Sequence, residues 1–200
     1  MRKQKNSKNS MSGFSLIELV AVLSVLFVMF AVAVPSFLQS YRTYQLDNTA
    51  AQVAGILKST RTEAIRLNTQ VNCLIQVQGA PAETHIWADS NNPADGIEQS
   101  TEPQTLLSGN VTLVQAAGVP NTGGLAAAIG VPTLTATSPV NGVDTFDDRG
   151  AANTAAPGVY VLYVGNVAIP AAGYRAVVLM PSGSIQVWSA DGAGNWHQVS

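Results

Sequence analysis

One carboxylate stands at the head of a long uncharged run. Glu18 is followed by Leu19 through Tyr41 without a formal charge, and a run of that length exceeds the about 20 apolar residues needed to cross a bilayer core. A carboxylate costs roughly 2.5–3.5 kcal/mol at the centre of a membrane helix and less near an end. An acid in that place is therefore a candidate functional residue. A second group, Asp89, Asn91 and Asp95, offers oxygen ligands of the kind calcium takes. It departs from the EF-hand pattern, because the glycine, Gly96, comes two places late and Ser100 stands at the twelfth position where glutamate is needed. A solvated turn bonded to itself is the expectation there, and the acids Asp144, Asp147 and Asp148 make a weaker metal set still. The chain has no nucleophile elbow, P-loop, paired-cysteine zinc pattern or H-E-x-x-H. His85 and His197 read as surface or strand residues. The sequence thus predicts no catalytic constellation, no metal, no cofactor and no enzyme.

The elements that position Glu18 follow from the hydropathy pattern. Residues 14 to 40 read as a membrane-embedded helix. Pro35 falls late in it, where it removes one internal hydrogen bond and costs about 3 kcal/mol in an ordinary helix; membrane helices tolerate this when neighbours satisfy the freed carbonyl. Residues 41 to 68 continue the helix into water. Leu46, Ala50, Val53, Leu57, Ala64 and Leu67 recur at steps of three, four or seven, an amphipathic stripe suited to packing on a sheet. Lys58, Arg61, Glu63 and Arg66 fall mostly off it, and Glu63 and Arg66 are spaced to pair.

From Val71 the period becomes two. Val71, Cys73, Ile75 and Val77 alternate with polar residues. After a turn at Gly79-Ala80-Pro81, residues Glu83 to Ala88 form the returning strand of a hairpin. Val111 to Gln115 suggests a strand. Residues 118 to 156 read as loops with short strands. Val159–Val164, Tyr174–Met180, Ile185–Ser189 and Asn195–Val199 read as a run of strands, with turns at Ser182-Gly183 and Asp191–Gly194.

Two hundred residues with 11% charged and 46% hydrophobic can bury a core and do not resemble a disordered chain. Arg2, Lys3, Lys5 and Lys8 all precede the apolar run, so the positive-inside rule leaves residues 1 to 13 in the cytoplasm and sends the chain after the run to the other side. Losing those four from a formal net charge of −2 leaves −6. That balance argues against a broad nucleic-acid face, which needs clustered cations. The single cysteine, Cys73, forms no intrachain disulfide and reads as a core thiol.

Gly13-Phe14 at the end of a basic leader, Glu18 four residues on, and then a spanning apolar run resemble the processing site of type IV pilins and type II secretion pseudopilins. Arg61-Thr62-Glu63-Ala64-Ile65-Arg66-Leu67-Asn68 is similar to the R-x-E-A-I-x-x-N pattern of the GspH/FimT branch. So are Trp87 to Gly96 with Glu102-Pro103 after it, Phe146 to Gly150, and Met180-Pro181-Ser182-Gly183 before Ile185. The resemblance is strong over the first 70 or so residues and patchy in the head.

That resemblance implies an α+β pilin-like fold, a long N-terminal helix with its second half on an antiparallel β head at 69–200. It implies cleavage of the leader 1–13 by prepilin peptidase after Gly13 and methylation of Phe14. Glu18 then pairs with the Phe14 amine of a neighbouring subunit, and the helix kinks or melts at Pro35 in a filament. The implied partners are other pilin-like subunits and the inner membrane, with the head in the periplasm. The implied function is a minor pseudopilin of a type II secretion pseudopilus; the alternative is a FimT-like minor pilin of a type IV pilus. DNA capture is known in that branch through a basic C-terminal segment. This chain has no Arg or Lys after Arg175, which argues against it.

Overall fold

A computed structural model describes residues 15–91, 94–153 and 158–199. It contains two compact units, one ending at Ser40 and the other spanning Tyr41–Ser200. Helix α1 runs from Leu16 to Leu67, 52 residues, with Pro35 inside it. It stops where Asn68 takes a left-handed conformation, φ 50°, and the Thr69 N–H turns back to the Ala64 carbonyl at 3.2 Å, a helix end of the left-handed kind.

The strands follow as β1 (Val71–Gln78), β2 (Glu83–Asp89), β3 (Gln104–Leu107) and β4 (Val111–Val114). Next come helix α2 (Thr122–Ile129), β5 (Thr135–Ala136), β6 (Asn141–Phe146), β7 (Tyr160–Asn166), β8 (Tyr174–Leu179), β9 (Ile185–Ala190) and β10 (Trp196–Gln198). They form two sheets, one ordered β3-β2-β1-β6 and the other β10-β9-β8-β7-β4, with β5 added to β7. All pairs are antiparallel except β5 with β7. The head is thus the expected antiparallel β structure, divided into two sheets, with β5 the one parallel addition.

Within the head, the stripe on α1 does what its spacing predicts at five of its six positions. Leu46, Ala50, Val53, Leu57 and Ala64 are buried, whereas Leu67, in the last turn, is 37% exposed. Ala54 and Ile56 join the core from beside the stripe, and Thr60 is tolerated there because its hydroxyl donates to the Ile56 carbonyl at 2.9 Å. The stripe packs on residues of both sheets, among them Val71, Cys73, Ile75, Leu162, Val164, Val177 and Leu179.

A second core lies on the other face of β7 and β8. Val161, Tyr163, Ala176 and Val178 pack there with Leu125 of α2 and Trp188 of β9. These two strands are therefore covered on both faces, which explains why Val161 to Val164 and Ala176 to Leu179 are nearly continuous apolar runs.

Helix α2 was not legible as a helix. It opens on Thr-Gly-Gly, and glycine costs up to about 1 kcal/mol per residue in a helix interior. Its signals lie at its ends. Asn121 caps the first turn by accepting from Gly124 N–H at 3.1 Å, and Gly130 closes it with φ 81°. The Trp196 indole donates to the Asn121 carbonyl at 3.1 Å, and Asn121 in turn donates to the Gly194 carbonyl at 2.9 Å. The last strand thereby holds α2 in place.

Candidate functional site

Glu18 lies in the first turn of α1 and is exposed. An acid there suits the positive end of the helix dipole. The large apolar side chains from Leu16 to Leu38 are between 41% and 80% exposed. This segment of α1 is long and apolar enough to cross a membrane and has no cover of its own. Two of its hydroxyls are prepared for an apolar surround. Ser24 Oγ donates to the Val20 carbonyl at 2.8 Å, and Ser40 Oγ to Ser36 at 3.1 Å. Such back-bonding leaves no hydroxyl proton seeking water. The helix runs through Pro35, whose ring nitrogen has no proton for the Ala31 carbonyl. Gly13 and Phe14 lie outside the described residues.

The Asp89-to-Asp95 loop directs its oxygens to its own chain. Asp89 is 2% exposed, and its Oδ2 accepts from Gly96 N–H at 2.8 Å. Asp95 accepts from Ile97 N–H at 2.9 Å and the Gln99 amide at 3.0 Å, with the Asn91 amide 3.5 Å away. Glu102, the acid of the Glu-Pro pair, is buried and gathers Ser90 N–H and Gln99 N–H at 2.9 and 3.1 Å. It organises the loop, a role that the sequence did not reveal. Within this loop Asp89 Oδ1 is buried without a partner. Among the described residues no three acids, histidines or cysteines converge as metal ligands. His85 meets Glu98, Nδ1 to Oε2 at 2.7 Å, half-buried beside this loop. His197 is exposed on β10.

Arg61, first residue of the R-x-E-A-I-x-x-N pattern, has a structural task. Its Nε donates to the Gly150 carbonyl at 2.9 Å, and its Nη2 lies 3.5 Å from the Ser182 carbonyl. It pins the turn after β6 and the β8–β9 hairpin to α1. At Gly183, φ is 75° and any Cβ would collide with the Gly150 carbonyl, so the glycine is needed for both reasons. Glu63 and Arg66 pair as their spacing predicted, at 2.6 Å.

Sequence reasoning missed a longer-range pair. Arg175 in β8 is 5% exposed, and its Nε donates to Asp47 Oδ1 of α1 at 2.6 Å. Its Nη1 donates to the Tyr174 carbonyl at 3.0 Å. Near the same helix turns, a groove of about 390 Å³ is lined by Gln45, Asn48, Gln52, Ser108 and Asn110 among others, with no ionisable side chain.

A long N-terminal apolar helix whose second part packs on antiparallel sheets defines a pilin-like α+β fold. No protein-family model, no curated protein and no solved structure matches the chain.

Proposed function

We propose that this chain is a GspH/FimT-like minor pseudopilin, a structural subunit of a type II secretion pseudopilus that works by assembly and not by catalysis. The observation that supports this reading most is the uncovered apolar part of α1 with Glu18 in its first turn. That surface needs a bilayer before assembly and the helices of neighbouring subunits after it. The basic leader keeps the N-terminus cytoplasmic until prepilin peptidase cuts after Gly13, and the head stands in the periplasm. Glu18 meets the Phe14 amine of the next subunit, so that two charges each unfavourable in lipid enter the bundle as a pair. The apolar helices supply the association, and the ion pair sets their register.

The test is mass spectrometry of the membrane-extracted protein, followed by cross-linking to its co-purified partners. The expected N-terminus is Phe14, N-methylated, and the expected partners are other pilin-like subunits of a secretion machine. An intact Met1, or a cut after Pro35, overturns the processing step. Cross-links only to subunits of a retractile pilus would move the protein to the minor pilins of a type IV pilus, which use the same kind of helix.

A further inference from the structure

The inward face of β6 carries an acid where the fold needs an apolar residue. Along Asn141–Phe146 burial alternates, with Gly142, Asp144 and Phe146 inside and Val143 51% exposed. A carboxylate inside and a valine outside is a conflict between local pattern and fold, and such conflicts collect where a structure does more than stand. Asp144 is 1% exposed and lies opposite Cys73 across the β1–β6 pair. Its Oδ1 accepts from Thr137 Oγ at 2.8 Å, while its Oδ2 is buried with no partner.

Among the described residues no cation answers this carboxylate: the three ion pairs engage Glu63, Glu98 and Asp47. The groups set against it are the Cys73 thiol of β1, the Thr137 hydroxyl and, behind Cys73, the Thr60 hydroxyl of α1. Burial and the nearby Asp144 charge both push the Cys73 thiol up, so it stays neutral. Burial raises Asp144 from 3.8 to about 6, against the Thr137 hydrogen bond, which lowers it.

The position of Asp144 makes its charge matter. β6 is an edge strand of its sheet, paired with β1, and on its outer side its last residues meet the returning chain through the Phe146–Ala152 bridge and the Asn153 N–H, which donates to the Thr145 carbonyl at 2.7 Å. Thr137 ties Asp144 to the other sheet, because its backbone N–H donates to the Val161 carbonyl of β7 at 3.0 Å. A single buried carboxyl thus joins an outer strand of one sheet to a central strand of the other.

We infer that Asp144 is a proton-operated latch on β6: protonated, it lies neutral beneath the closed strand, and ionised, its buried charge, against the pull of the Thr137 hydroxyl, favours β6 opening from the β1 edge so that the carboxylate meets water. What opening bares is the edge of β1 along Val71 to Gln76. The sign follows from linkage. The closed form binds the proton more tightly than the open form, in which Asp144 meets water and its ordinary value. The latch is therefore fully engaged below about pH 4 and weakens as pH rises through about 6, with little further change above.

The test is native-state amide hydrogen exchange on the full chain in detergent micelles from pH 4 to pH 8, corrected for the intrinsic rate. The β6 amides are expected to lose about 100-fold of their protection across that range, the ratio set by the two proton affinities. The β8 amides of Ala176 to Val178 are expected to keep theirs. Asp144→Asn is expected to flatten the β6 profile. Equal β6 protection at both ends, a parallel loss in β8, or an unchanged profile in Asp144→Asn would each overturn the latch. Should Asp144→Asn fail to fold, the carboxyl carbon shift of Asp144 in the unaltered chain decides: a titration midpoint near 6 supports the latch, and one below 4.5 refutes it.

Discussion

Replacing Asp47 isolates the contact that binds α1 to the centre of the second sheet. Arg175 Nε meets Asp47 Oδ1 at 2.6 Å. The arginine side chain is 6% exposed and that of Asp47 50%, so water screens one end of the pair and not the other. Asp47→Ala leaves the guanidinium buried with, among the described residues, the Tyr174 carbonyl as its acceptor. Two limits bracket the effect. Losing one partner of a fully buried pair costs about 3–5 kcal/mol, and an exposed pair contributes about 0.2–1 kcal/mol. With one end exposed, the expected loss is about 2 kcal/mol. For a domain of 150–250 residues that lowers Tm by about 4–8 °C.

The assay is thermal and denaturant unfolding of the head fragment Tyr41–Ser200, a compact unit in its own right. Asp47→Ala combined with Arg175→Leu should recover most of the loss, because the orphaned charge is gone. A change below about 0.5 kcal/mol in the single variant, within the range of an ordinary surface substitution, would refute the reasoning. So would a double variant no better than the single one.

Three further outcomes follow from the same contacts and charges. Glu18→Ala should insert in the membrane and be processed normally, since it removes a charge that lipid disfavours. Its co-purification with other pilin-like subunits should fall by about two to three and a half orders of magnitude, the equivalent of about 3–5 kcal/mol for an unpaired neighbouring amine. Undiminished co-purification would show that Glu18 does not direct assembly. Arg61→Ala should cost the head about 1.5–2 kcal/mol in denaturant unfolding, the lower half of the range for charged donors because the site is half-exposed. The same fragment should show no salt-sensitive binding to duplex DNA at micromolar concentration. A gel shift that fades steeply with salt would contradict this, as the signature of counterion release.

The sequence by itself determined whatever rests on neighbours a few residues apart. The uncharged run after Glu18 needs only length and composition. The stripe from Leu46 to Ala64 needs only the helical period. The period-two run from Val71 and the turns at Gly79, Ser182-Gly183 and Asp191–Gly194 need only the local backbone. The limits of β1, β2, β4 and β7 to β10 fell within a residue or two for the same reason. Tertiary structure decided what joins distant parts of the chain. Nothing near Asp47 announces Arg175, 128 positions later. Glu102 looked like one member of a Glu-Pro pair until the fold returned Ser90 and Gln99 to its oxygens. Leu67 fitted the stripe but lies in the last turn of α1, where the packed surface ends. α2 owes its place to the Trp196 and Gly194 contacts, which a window around Thr122 does not contain. The division into two sheets, and the inward turn of Asp144, follow from which strand lies beside which. That pairing is set by non-local hydrogen bonds and burial, and periodicity along a single segment carries no record of either.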